Sequence, residues 1–123
     1  MRKLLILIVM FLSISCTQKE FIISIEQPHE NKLDGLKVEI NLDENKAKEF
    51  HLKSTNIAPS YETTHFLISE EGKHHLTVKL KDSVYKYQIY YPSEKYIIIG
   101  PYLKKNGKIR LGILKQKEKF IFH

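Results

Sequence analysis

Residues 72–91 read GKHHLTVKLKDSVYKYQIYY, and this stretch decides the fold class. In its first half Leu76, Val78 and Leu80 alternate with His75, Thr77 and Lys79. In its second half Tyr85, Tyr87, Ile89 and Tyr91 share one side, with Lys86 and Gln88 between them. Successive side chains of a strand point to opposite faces, so a period of two marks strands with one buried face. Asp82-Ser83 between the halves suits a tight reversal. The stretch predicts two strands joined by a short hairpin.

The same period extends in both directions. Leu36, Val38, Ile40 and Leu42 alternate with Lys37, Glu39 and Asn41, and Ile109, Leu111 and Ile113 form another set. The run Tyr96-Ile97-Ile98-Ile99 is apolar on both faces, which suits a central strand. Asp43-Glu44-Asn45-Lys46 is expected to link two strands, and Pro92 to end the tyrosine strand. Glu71-Gly72 is expected to turn a hairpin between strands at residues 65–69 and 73–80, with glycine supplying a positive φ. Asn106-Gly107 predicts a two-residue type I′ turn, which needs φ above zero at both positions. Residues 115–118 are expected to turn into a last strand at 119–123. The long gaps, residues 27–34 and 56–61, both contain proline. Eight or nine short strands without a helix or repeat predict an all-β fold. The expectation is an antiparallel β-sandwich, immunoglobulin-like or transthyretin-like, with a small closed barrel as the alternative.

The N-terminus has a different character. Residues 1–16 read MRKLLILIVMFLSISC, with Arg2 and Lys3 ahead of an apolar run from Leu4 to Leu12. That run is shorter than the ~20 residues needed to cross a bilayer, and it matches the apolar region of a secretory signal. Ser13 and Ser15 are small at the third and first positions before Cys16, so ordinary signal peptidase could also release a soluble protein. Cys16 is the single cysteine of the 123-residue chain. It cannot form an internal disulfide, and a metal site or redox pair would need further ligands or a second thiol.

Residues 1–16 resemble the lipobox of bacterial lipoproteins, in which a small residue precedes an obligatory cysteine, with serine at 13 where leucine is usual. The resemblance implies that residues 1–15 are a removed signal peptide and that Cys16 is the lipid attachment site. The sulfur would carry a diacylglyceryl group and the new amino group a further chain such as palmitate. Two or three acyl chains give stable anchoring where one is marginal. The expected organisation is a signal at 1–15, a lipidated tether at 16–20 and a β-sandwich domain at 21–123. A tether of four extended residues reaches ~13–14 Å. Under the sorting rule of enteric lipoproteins Thr17 implies the outer membrane, and Gln18-Lys19-Glu20 resembles the charged surface-export signals of some Bacteroidetes lipoproteins.

The chain carries 20 Lys and Arg against 14 Asp and Glu. The signal holds two of those cations and no acid, so the exported part keeps a mild positive excess. This suits a solvated lysine surface, or attraction to anionic headgroups or an acidic partner. Nucleic acid is not an expected partner, because Lys104-Lys105-Asn106-Gly107-Lys108 reads as a turn with charged flanks.

No motif carries catalysis. There is no G-x-S-x-G elbow, P-loop or dinucleotide fingerprint. Six histidines, His29, His51, His65, His74, His75 and His123, invite a metal reading, but neighbours on a strand diverge and no helical H-x-x-x-H is present. His65 and His75 are expected to meet across the Glu71-Gly72 hairpin, as two ligands of a weak site. No catalytic residue, metal or cofactor is expected. Tyr85, Tyr87 and Tyr91 fill the core if their face is buried, and offer a strip for a partner if it is exposed. The expected function is a membrane-anchored, non-catalytic binding or scaffold module of the cell envelope with a protein partner. The alternatives are an accessory subunit of an envelope or secretion complex, or a soluble secreted hydrolase or metal-binding protein.

Overall fold

The computed structural model describes residues 18–56 and 59–119. Cys16 and the expected strand at 119–123, beyond its first residue, lie outside them. Eight strands follow in order: β1 (Lys19–Glu26), β2 (Lys37–Leu42), β3 (Lys48–His51), β4 (Tyr61–Ile68), β5 (Gly72–Leu80), β6 (Ser83–Tyr91), β7 (Tyr96–Leu103) and β8 (Ile109–Gln116). One 3-10 turn at Asn31–Leu33 plugs the β1–β2 connection with buried Leu33.

The strands form two four-stranded sheets, ordered β4-β1-β7-β8 and β3-β2-β5-β6. Their inner faces enclose one core, in which Phe21, Ile23 and Ile25 of β1 meet Val38, Ile40, Leu76, Val78 and Ile89. Each such side chain contributes roughly 1.5–3 kcal/mol on burial. The fold is a β-sandwich and not a closed barrel, since each sheet ends in two edge strands. In immunoglobulin sandwiches the first, second, fourth and fifth strands share a sheet. Here the second and fifth lie opposite the first and fourth, so the strand order differs from that one.

Several local expectations need correction. The β1–β7 pair is parallel, Ile22 to Ile25 against Tyr96 to Ile99, so one sheet is mixed. Glu71-Gly72 does not close a hairpin. Gly72 does have a positive φ of 99°, but the chain crosses there from β4 in one sheet to β5 in the other. Each partner is satisfied elsewhere: β4 pairs along its whole length with β1, and β5 with β2 and β6. Asn106-Gly107 does lie in the β7–β8 hairpin, but its loop spans residues 104–108 between the paired Leu103 and Ile109. Only Gly107 is left-handed there, with φ 83°. The Lys108 N–H donates to the Asn106 side chain at 3.0 Å. β4 begins at Tyr61, inside an expected gap, and β1 begins at Lys19, inside the expected tether. The β5–β6 hairpin is as tight as expected, with Leu80 paired to Ser83.

Side chains close both open flanks. On one, Lys48 of β3 donates to the Thr64 hydroxyl (3.0 Å) and to the His65 carbonyl, and its ammonium lies 4.6 Å from the Phe66 ring centre. On the other, the Tyr85 hydroxyl donates to the Ile109 carbonyl (3.2 Å) and Lys115 to the Gln88 carbonyl (3.3 Å).

Candidate functional site

The topology gives the sandwich two distinct ends. β1 and β7 run together away from the N-terminus, so the loops at 43–47, 69–71, 92–95 and 117–119 gather at the near end. The connections at 27–36, 81–82 and 104–108 gather at the far end, with residues 52–56 and 59–60. There the Gly35 N–H donates to the Leu52 carbonyl (2.7 Å) and the Thr55 N–H to the Pro28 carbonyl (3.0 Å).

His74 is the most constrained polar residue at the near end, only 7% exposed. Its Nδ1 lies 2.8 Å from Asp43 Oδ2 and its Nε2 2.7 Å from the Glu70 carbonyl. A carboxylate and a carbonyl can only accept, so both ring nitrogens donate and the imidazole is a cation. Burial pushes the His74 pKa down, but the bonds to Asp43 and Glu70 outweigh it and the net shift is upward. Burial likewise pushes Asp43 up, and its bonds to His74 and to the His75 N–H (2.9 Å) bring it below its ordinary value. Asp43 holds a left-handed backbone, φ 56°, which aspartate tolerates through local hydrogen bonds. The pair ties the sheet-to-sheet crossover to the β2–β3 loop. Its signal in the sequence is the period-two continuation His74, Leu76, Val78, Leu80, which places His74 on the core face.

The other histidines are separate. His75 is on the opposite, exposed face. His65 and His75 do not meet, because β4 and β5 lie in different sheets. His65 instead lies 3.2 Å from Glu20 on β1. His29 donates from Nδ1 to the Thr55 carbonyl at 3.0 Å, and His51 lies 3.8 Å from Glu49. Among the described residues no group of three or more His, Cys, Asp or Glu side chains could hold a metal ion.

The tyrosine strip points inward. Tyr85, Tyr87 and Tyr91 are half-buried against the core, and Tyr91 meets Phe21 edge-on at 5.5 Å. Burial, with Tyr85 alongside, raises the Tyr87 pKa. The more exposed aromatic is Tyr90 on the opposite face.

Two features mark the far end. The first is charge: Lys32, Lys53, Lys81, Lys104, Lys105 and Lys108 stand there against Glu30, Asp34 and Asp82. None of these lysines belongs to an ion pair among the described residues. The second is a groove of about 380 Å³ on the outer face of β7 and β8, bounded by the chain leaving β1. Its floor is the in-register pair Gly100 and Gly112, flanked by Ile98, Leu114 and Tyr102. Glu26 and Glu30 supply carboxylates at its rim. Sequence reading missed it because the glycines are twelve positions apart and become neighbours only through strand register.

Comparison of the chain with protein-family models, characterised proteins and solved structures returns no match.

Proposed function

We propose that this chain is a lipid-anchored, non-catalytic binding module of a bacterial cell envelope. It would be cut before Cys16, held by acyl chains on that residue at the outer-membrane or cell surface, and would present its far end to a partner. The observation that carries this reading is the abrupt join at the N-terminus: the sheet starts at Lys19, three residues after Cys16. The anchor would therefore sit against the near end, whose loops hold Asp43, Glu44, Glu70, Glu71, Glu94 and Glu118 beside Lys46, Lys95, Lys117 and Lys119.

The lysines of the far end lie beyond the length of β1, eight residues or roughly 26 Å at ~3.3 Å per residue. That is about three times the ~8 Å Debye length at physiological salt. Headgroups at the anchor are screened from those lysines, so the basic end suits a second, anionic partner, such as an acidic protein surface of the envelope.

The deciding experiment is the intact mass of the protein extracted from its native membrane. Residues 16–123 plus two or three acyl chains is the expected result. A mass equal to bare residues 16–123 overturns the anchor and makes the chain a soluble secreted domain with a free N-terminal thiol.

A further inference from the structure

Gly112 lacks a structural reason to be glycine. Its φ is not in the left-handed range, and an added Cβ would meet only the Gly100 carbonyl oxygen at 3.6 Å and Tyr102 Cε1 at 3.8 Å, ordinary contacts. Gly100 differs: a Cβ there would lie 3.2 Å from Glu26 Oε2, so the Glu26 carboxylate occupies its side-chain space. A glycine inside a strand weakens it and often marks a bulge, a tight bend or a close approach to the backbone; the register across Gly112 is unbroken, which favours the last.

The walls define what that is. Tyr102, 44% exposed, and Leu114, 63% exposed, offer an aromatic edge and an apolar flank. Glu26 has no cation partner among the described residues, and so presents acceptor lone pairs. An anionic ligand would be repelled by Glu26 and Glu30. Arg110, opposite Tyr102 in the register, and Lys104 and Lys105 of the adjoining loop lie outside the lining, but their charge beside the groove disfavours an organic cation. A neutral polyol escapes both penalties: its hydroxyls donate to carboxylates and its C–H face packs on an aromatic ring. The volume falls within the roughly 300–1,000 Å³ of small-ligand sites.

We propose that this groove is a saccharide-binding site, with a pyranose ring lying over Gly112 against Tyr102 and its hydroxyls donating to Glu26. The proposal rests on the reading of the chain as a binding module, and does not depend on lipidation of Cys16.

The test is saturation-transfer NMR on the full chain in a detergent without a sugar headgroup. The probes are methyl glycosides of glucose, galactose and N-acetylglucosamine, with spermidine as the cationic control. At least one glycoside is expected to bind, with transfer strongest along one edge or face of its ring. Gly112→Val, which fills the floor, is expected to weaken that binding roughly tenfold or more. Tyr102→Ala, in a protein whose circular dichroism is unchanged, is expected to do the same. Silence from every glycoside, transfer to spermidine alone, or binding indifferent to both substitutions overturns the proposal. The intact-mass measurement fails or succeeds independently of any of these.

Discussion

At the near end of the sandwich, loops are tied down by buried side chains; at the far end, charged side chains stand clear and a backbone floor lies open. The His74–Asp43 pair clamps the crossover between sheets, and both ring nitrogens are spent on it. The ammonium groups of Lys104, Lys105 and Lys108 enter no ion pair among the described residues, and Gly112 leaves space unfilled. The far end is braced too, by buried Leu33 and by the Gln27 side chain accepting from the Lys53 N–H at 2.8 Å, so the ends differ in their polar side chains: a histidine–carboxylate pair at one, lysines without ion pairs among the described residues at the other.

The sharpest way to break that comparison is to cut the clamp. His74→Ala leaves the Glu70 carbonyl without its donor and Asp43 without its cation, and opens a cavity beside Phe21. It is expected to cost about 2–4 kcal/mol in urea unfolding. Lys104→Glu with Lys105→Glu is expected to cost no more than about 0.5 kcal/mol in the same assay. Equal losses at both ends would remove the distinction.

The clamp also has a pH signature. The folded His74 pKa lies above its ordinary 6.5, so its contribution is complete below that value and is lost as pH rises through the folded pKa. The folded Asp43 pKa lies below its ordinary 3.8, so its contribution is present above that value and fades as pH falls through the folded pKa. Stability is expected to hold between the two titrations and to decline on the alkaline side. Unfolding free energies across pH check this, and His74→Gln should flatten the alkaline limb.

At the far end the expected effect is on binding. Retention on an acidic protein or polyanion matrix should weaken roughly tenfold on reversing Lys104, Lys105 and Lys108 to glutamate, and should fall steeply with salt. Reversing Lys46 and Lys117 at the near end should change it much less.

The smallest effects separate the glycines. Gly107→Ala forces a side chain into φ 83° and should cost about 1 kcal/mol. Gly112→Ala should lie within about 0.5 kcal/mol of the parent, because its Cβ fits. A large loss at Gly112 would assign that glycine to the fold and not to the groove.

Much of the fold is legible in local sequence. Alternation at 76–80 and 85–91 places the right side chains inward, because a strand's period follows from backbone geometry alone. The tight β5–β6 reversal and the glycine at 107 are equally local. The Glu71-Gly72 expectation fails for a specific reason. Glycine permits a positive φ, but does not say whether the following strand returns beside its predecessor or crosses to the other sheet. That choice belongs to distant partners: β4 lies on β1, forty-odd residues away, with Phe21 opposite Phe66.

By itself, the sequence determined which faces are apolar, where the chain reverses and where a lipobox-like cysteine sits. Each depends on neighbours within a few residues. Only the tertiary structure decided that β1 runs parallel to β7, that Asp43 meets His74, and that Gly100 lies beside Gly112. These contacts join segments far apart in the chain. They are selected by how whole sheets stack and bury their faces, a constraint no local window contains.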